Sequence, residues 1–338
     1  MPQAGLRGPR LKSRYRSFAL LTGVVAAAAT FMLISMDHNA RSQALNTIRT
    51  IVPYTPGGVA DIVARFVAEQ IGLAGGPTVV VENRPGAGGA VGTETVARAA
   101  ADGNTLLVVS TPFIIDPLLR KLNYDPLTSF EPLCYLVNAP TVIVVNSASP
   151  YRTVAQLLDD ARAKPGKITT ASIGPASSFQ LGFEMLKRAA KVEMSFVPYP
   201  GNAPALNAIL GQQVTSMFGT YSNVVEYLKA GTLRALAAGN GARAQPLPDV
   251  PTLAEAGYRD IDADVWFGAF APAHTLEPAI SRLDGLFKAT LRDATVKEKL
   301  GIQGLYPVGI CGVDFAAYLK KQHNEYDRII SEANIRAE

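Results

Sequence analysis

From Ile48 onward the chain alternates short β-rich runs with amphipathic segments of helical period, and this most restricts how it can fold. Strand-like runs fall at 48–52, 79–82, 105–110, 141–145, 168–172 and 195–197, and helical segments at 61–71, 154–163, 179–190 and 203–210. A short helix is expected to follow the loop at 83–89 and run to about residue 100. The segments 214–218, 224–230, 233–238 and 266–270 continue the alternation, and helices at 278–292, 296–300 and 313–331 close the chain. Such spacing predicts an α/β protein with mostly parallel sheets.

Ahead of this alternation stands a segment of different character. Residues 1–17 carry Arg7, Arg10, Lys12, Arg14 and Arg16 and no acid, and residues 18–34 are uncharged and rich in Ala, Val and Leu. Ser42-Gln43-Ala44 then offers the small residues that a signal peptidase reads. Residues 1–44 therefore read as an export signal cleaved near Ala44. The segment lacks an Arg-Arg pair, which favours export in an unfolded state.

The leader also carries the positive charge. The whole chain holds 32 basic and 28 acidic residues, but the leader takes six of the former and, with Asp37, one of the latter. The remaining 26 basic and 27 acidic residues give no basic patch argument for nucleic acid or an anionic membrane. Cys134 and Cys311 are the only cysteines. Export would permit a bond between them, yet each stands beside an apolar residue (Leu133, Ile310), and the expectation is two small, buried, unpaired side chains. Beyond the leader, His274 and His323 lie far apart with no ligand spacing around them, so neither a transition metal nor any other cofactor is expected.

Several loops raise specific chemistry. Gly86-Ala87-Gly88-Gly89-Ala90-Val91-Gly92 looks like a dinucleotide loop, but Val91 stands where the template needs glycine. Ser172, Ser177 and Ser178 flank a strand-to-helix passage and suit helix capping or a carboxylate held by hydroxyls. A serine hydrolase assembled from them with a distant histidine is a weaker alternative. Asp61 is expected to complement a helix dipole. Trp266 and Phe267 belong to the core, or to a hinge or cleft wall. One echo stands out: Val52-Pro53-Tyr54-Thr55-Pro56-Gly57-Gly58 and Val197-Pro198-Tyr199-Pro200-Gly201-Asn202 each end a strand and open a helix. They are either two ordinary tight turns or a pair of anion sites built from helix N-terminal amides at strand carboxyl ends.

These motifs, with Val81-Glu82-Asn83-Arg84-Pro85-Gly86, Asp102-Gly103, Leu247-Pro248-Asp249-Val250-Pro251-Thr252, Glu255-Ala256-Gly257, Trp266-Phe267-Gly268 and Ala271-Pro272-Ala273, follow one another in order. Over nearly its full length after the leader, the chain resembles the Bug-family periplasmic substrate-binding proteins of tripartite tricarboxylate transporters. The resemblance implies a two-lobed, type II periplasmic-binding (Venus-flytrap) fold. Lobe one would be 45–146 plus 268–338 and lobe two 147–267, with crossings near Asn146 and Gly268. It implies a monomeric, non-catalytic receptor for a small organic acid, docking on a small and a large membrane subunit. Carried onto this chain, first-lobe contacts would come from Tyr54, Thr55, Pro56, Gly57, Gly58, Ser110, Thr111 and Phe113. Second-lobe contacts would come from Ser172, Ser177, Ser178, Phe179, Gln180, Tyr199, Gly201, Gly219, Thr220 and Tyr221. Gly219 replaces an aspartate frequent in relatives, which disfavours an amino-acid ligand. Ser178-Phe179-Gln180 and Thr111-Pro112-Phe113 make the expected cleft less polar and point to an aromatic or medium-chain dicarboxylate over citrate. A ligand-sensing partner of a membrane receptor kinase is the alternative role on the same fold.

Overall fold

The computed structural model describes residues 47–173, 177–199, 201–239, 247–259, 261 and 263–336. The segment read as an export signal, Gly174-Pro175-Ala176, Pro200 and the start of the proline-rich connection lie outside them.

Two sheets organise the chain. The first contains β1 (Thr47–Val52), β2 (Thr78–Asn83), β3 (Thr105–Ser110), β4 (Phe130–Ala139), β10 (Val265–Pro272) and β11 (Tyr306–Cys311), in the order β11-β4-β10-β3-β1-β2. The second contains β5 (Thr141–Asn146), β6 (Thr169–Ile173), β7 (Ser195–Tyr199), β8 (Ser216–Thr220) and β9 (Leu233–Ala238), in the order β7-β6-β8-β5-β9. β1 and β3 pair in parallel, as do β6 with β7 and with β8. β10 is antiparallel to β3 and β4, and β5 is antiparallel to β8 and β9. Most strands share one direction, as alternation predicts, but each sheet has a reversed strand inside it. These reversed strands are the ones the chain enters from the other sheet.

Helices cover the sheets: α1 (Val59–Leu73), α2 (Ala90–Ala97), α3 (Pro112–Leu119), α4 (Val154–Ala163), α5 (Ser178–Ala190), α6 (Asn202–Leu210), α7 (Tyr221–Lys229), α8 (Glu277–Arg292), α9 (Ala294–Ile302) and α10 (Val313–Ala333). The helical period explains them: α1 buries Val63, Ala64, Val67 and Ile71 along one stripe. Thr153 caps α4 by accepting from the Gln156 amide, 3.2 Å away. α10 buries Phe315, Leu319, Tyr326, Ile329 and Ile330, packs on both α3 and α5, and carries Glu332 to within 2.5 Å of Arg188 on α5.

Three elements escaped the sequence pattern: α3, β4 and β11. α3 is eight residues long, with proline in its first turn and Pro117 inside. β4 is buried without interruption from Leu133 to Val137, so it shows no alternation to read, and Pro132 breaks its start. β11 holds Pro307 and Gly309 on a sheet edge.

Two expectations need correction. Cys134 and Cys311 are bonded, not unpaired. They are direct partners across the antiparallel β11–β4 ladder, with Cα atoms 4.0 Å apart. Because β11 itself went unread, nothing in the sequence placed the two side by side. The chain also passes between the sheets at Pro140 and returns between Ala238 and Val265, not near Asn146 and Gly268. Asn146 is already paired with Leu233 and Gly268 with Val109, so both lie inside their ladders.

Candidate functional site

The turn after β1 is held from below. Gly57 takes a φ of 83°, open to glycine at little cost, and its amide donates to Asp61 Oδ2 at 2.9 Å. Asp61, its side chain only 6% exposed, also accepts from Arg65 Nε and Asn83 Nδ2, each at 2.9 Å. Asn83 Nδ2 reaches the Tyr54 carbonyl at 3.1 Å. Burial alone would raise the Asp61 pKa. Hydrogen bonds from Arg65, Gly57 and Asn83, with the Arg65 charge, outweigh it and hold the carboxyl below its ordinary value. Asp61 is thus a clamp on the turn, and the Gly57 amide is spent on it. Thr55, Pro56, Gly57 and Gly58 are exposed, and no side chain caps α1 at Gly58. The leading amides of α1 therefore have no side-chain cap at the strand end.

The glycine-rich loop buttresses this turn. A Cβ at Gly89 would stand 3.2 Å from the Tyr54 ring, and one at Gly92 would stand 2.8 Å from Pro53 Cβ. Arg120 fixes the loop by donating to the Ala87 carbonyl at 2.9 Å and to Asp116 Oδ2 at 2.6 Å. Close packing, not phosphate binding, accounts for the glycines. Tyr54, half-buried, places its hydroxyl to accept from Ser110 Oγ at 3.4 Å. Burial pushes its pKa up, the Ser110 hydrogen bonds oppose this, and the Asp116 charge adds to it. Tyr124 is pushed up to about 12, by burial first and by Asp116 second. Both phenols are neutral at ordinary pH.

In the second sheet the same strand ends carry the other predicted group. Ser177 caps α5, accepting from the Gln180 amide at 3.3 Å. Ser178 is buried, and its hydroxyl has no hydrogen-bond partner among the described residues. Tyr199 ends β7 half-buried, and Gly201 opens α6 without a side-chain cap. Thr220 Oγ1 accepts from Asn223 Nδ2 at 2.7 Å, and the Tyr221 amide donates to the Pro140 carbonyl at 2.8 Å. Burial raises the Tyr221 pKa. A Cβ at Gly219 would meet only the flexible end of Met217, at 3.0 Å.

The structure thus gathers Tyr54, Thr55, Pro56, Gly57, Gly58 and Ser110 at the carboxyl ends of β1 and β3. It gathers Ser177, Ser178, Gln180, Tyr199, Gly201, Gly219, Thr220 and Tyr221 at those of β6, β7 and β8. Four side chains are used elsewhere. Thr111 Oγ1 is buried and accepts from the Trp266 amide at 3.0 Å. Phe113 packs among Phe130 and Phe270, with ring centroids at 5.3 and 4.7 Å. Ser172 Oγ donates to the Phe218 carbonyl at 2.8 Å, and Phe179 is buried with its ring edge-on to Phe218. Trp266 is fully buried, so it is core and not cleft wall. Sequence reasoning missed Asn83, Arg65 and Arg120 as supports; only the i, i+4 spacing of Asp61 and Arg65 hinted at them.

Two mixed α/β sheets, joined by two crossings and with helix N-termini gathered at strand ends, define a two-lobed, type II periplasmic-binding fold. Residues 63–335 match the tripartite tricarboxylate transporter family receptor. The chain belongs to this family, whose members are periplasmic solute-binding proteins and not enzymes. BugT of Bordetella pertussis is 32% identical over 296 residues, covering 87% of this chain and 90% of that protein. The solved periplasmic binding protein BugD is 32% identical with a TM-score of 0.68, covering 86% of this chain and 99% of that one. A Rhodopseudomonas palustris protein with adipate is 28% identical with a TM-score of 0.71, covering 86% and 98%. MatC of the same organism, with bound malate, is 29% identical with a TM-score of 0.64, covering 84% and 98%.

Proposed function

We propose that this protein captures a small organic carboxylate in the cleft between its lobes and delivers it to the small and large membrane subunits of a tripartite transporter. Its lobes would be the units built on the two sheets, closing over the ligand by rotation at the two crossings. In the cell it would work in the periplasm after cleavage near Ala44. The observation that carries the reading is the pair of uncapped helix N-termini, α1 at Gly58 and α6 at Gly201, each at a strand carboxyl end. None of the predicted contact residues is a Lys or Arg, so a carboxylate would meet amides, hydroxyls and phenols. Release then breaks no buried ion pair.

An aromatic or C6-type dicarboxylate is the proposed ligand class, ahead of citrate and of amino acids. With Phe113 and Phe179 turned into the core, the apolar surface for such a ligand would come from the rings of Tyr54, Tyr199 and Tyr221. The relative with adipate supports this choice; the relative MatC holds a shorter acid, malate. Thermal unfolding against mono-, di- and tricarboxylates, aromatic acids and amino acids tests it. A ligand at 100 times its Kd adds about 2.7 kcal/mol, a rise of several degrees in Tm. Citrate or an amino acid giving the largest rise would reject the ligand class. No rise with any carboxylate, after denaturation and refolding to strip carried ligand, would reject the function.

A further inference from the structure

Asp264 stands just before β10, at the point where the chain re-enters the first sheet, and is only 1% exposed. Its Oδ1 accepts from the Thr141 amide at 2.8 Å and from Thr141 Oγ1 at 3.1 Å. Its Oδ2 accepts from Asn138 Nδ2 at 2.6 Å. Asn138 is in β4 and Thr141 opens β5, so one carboxylate grips both sides of the outward crossing at Pro140 from the start of the returning strand.

The surroundings leave this knot little freedom. Thr141 is fully buried, and its carbonyl accepts from the Gly239 amide at 2.9 Å. A side chain at Gly239 would overlap Thr141 Oγ1. The Pro140 carbonyl accepts from Tyr221, at the head of α7. Two residues beyond Asp264, the Trp266 amide binds Thr111 Oγ1 under the first-lobe strand ends.

We infer that Asp264 is the positioning residue of the interlobe hinge: its bonds to Thr141 set the angle between the lobes, without contact with any ligand. The three donors named here explain why a carboxylate is required. An amide would turn an NH2 group toward one of them, opposing donor to donor. The Thr141 bonds are the ones that join the two sheets; the Asn138 bond orients the carboxylate within the first. This inference goes beyond carboxylate binding and does not depend on which ligand enters.

The test is the interlobe distance distribution of the ligand-free protein, from pulsed electron spin resonance between nitroxides on V91C and D159C. Both sites are exposed, one on α2 and one on α4. Asp264→Asn is expected to shift and broaden the distribution. Thr141→Val, nearly isosteric and lacking only the hydroxyl, is expected to do so to a smaller degree, and it decides the question if Asp264→Asn does not fold. Thr170→Val is the control: it removes a buried hydroxyl contact to Ser216 within the second sheet and is expected to lower Tm with the distribution unchanged. Folded Asp264→Asn or Thr141→Val protein with the wild-type distribution would overturn the inference. So would equal broadening in Thr170→Val.

Discussion

The turns at Tyr54 and Tyr199 share a sequence and differ in what holds them. The first is clamped: Asp61 binds the Gly57 amide, Asn83 binds the Tyr54 carbonyl, and the glycine-rich loop packs against the Tyr54 ring. The second has no acid in the first turn of its helix, and Gly201 has an extended φ of 172° with open space around it. The first lobe also holds a disulfide, which among the described residues the second lacks. A shared Val-Pro-Tyr…Pro-Gly motif thus supplies the same helix start on both sides, while residues outside it decide which start is rigid. On the proposed function, the first turn would be a preformed wall of the cleft and the second the wall that adapts.

The comparison breaks most visibly through the disulfide. Replacing Cys134 and Cys311 by Ala is expected to cost about 2–5 kcal/mol in chemical denaturation. A loss under 1 kcal/mol would mean that the edge strand β11 holds without the bond. Next comes Asp61→Ala, which removes the acceptor of the Gly57 amide and of Arg65 and leaves Asn83 Nδ2 only the Tyr54 carbonyl, and is expected to cost about 1–3 kcal/mol. The pH dependence follows from its lowered pKa. The stabilisation by the carboxylate is complete above the unfolded-state value near 4 and is lost as pH falls through the folded value. The stability gap between wild type and Asp61→Asn is therefore expected to close in acid below about pH 4.

Smaller effects sharpen the contrast. Gly57→Ala forces a side chain into left-handed backbone and is expected to cost about 1–2 kcal/mol. Gly201→Ala, in extended backbone, is expected to stay within about 0.5 kcal/mol. Equal losses at the two glycines would erase the distinction between the turns. Ser178→Ala removes a hydroxyl with no partner among the described residues, so stability is expected to hold while carboxylate affinity falls in calorimetric titration.

Much of this was legible in the sequence because it is local. The strands at 105–110 and 233–238 and the helix at 154–163 follow from hydrophobic period and fall where it places them. The two turns follow from Pro and Gly chemistry. What was not legible depends on partners far along the chain. Thr111 looks like a ligand contact until Trp266, 155 residues away, takes its hydroxyl. Phe113 and Phe179 look like cleft residues until their helices turn them inward onto Phe270 and Phe218. β4 is central and uniformly buried, and such strands carry no alternation to announce them.

Hydrogen exchange at the two turns tests the central claim most directly, first without ligand and then with the carboxylate that gives the largest thermal shift. The Gly57 amide is expected to exchange slowly in both states. The amides of Gly201, Asn202 and Ala203 are expected to exchange fast alone and to become protected with the carboxylate bound. Equal exchange at the two turns without ligand, or a second turn left unprotected by a bound carboxylate, would contradict the account.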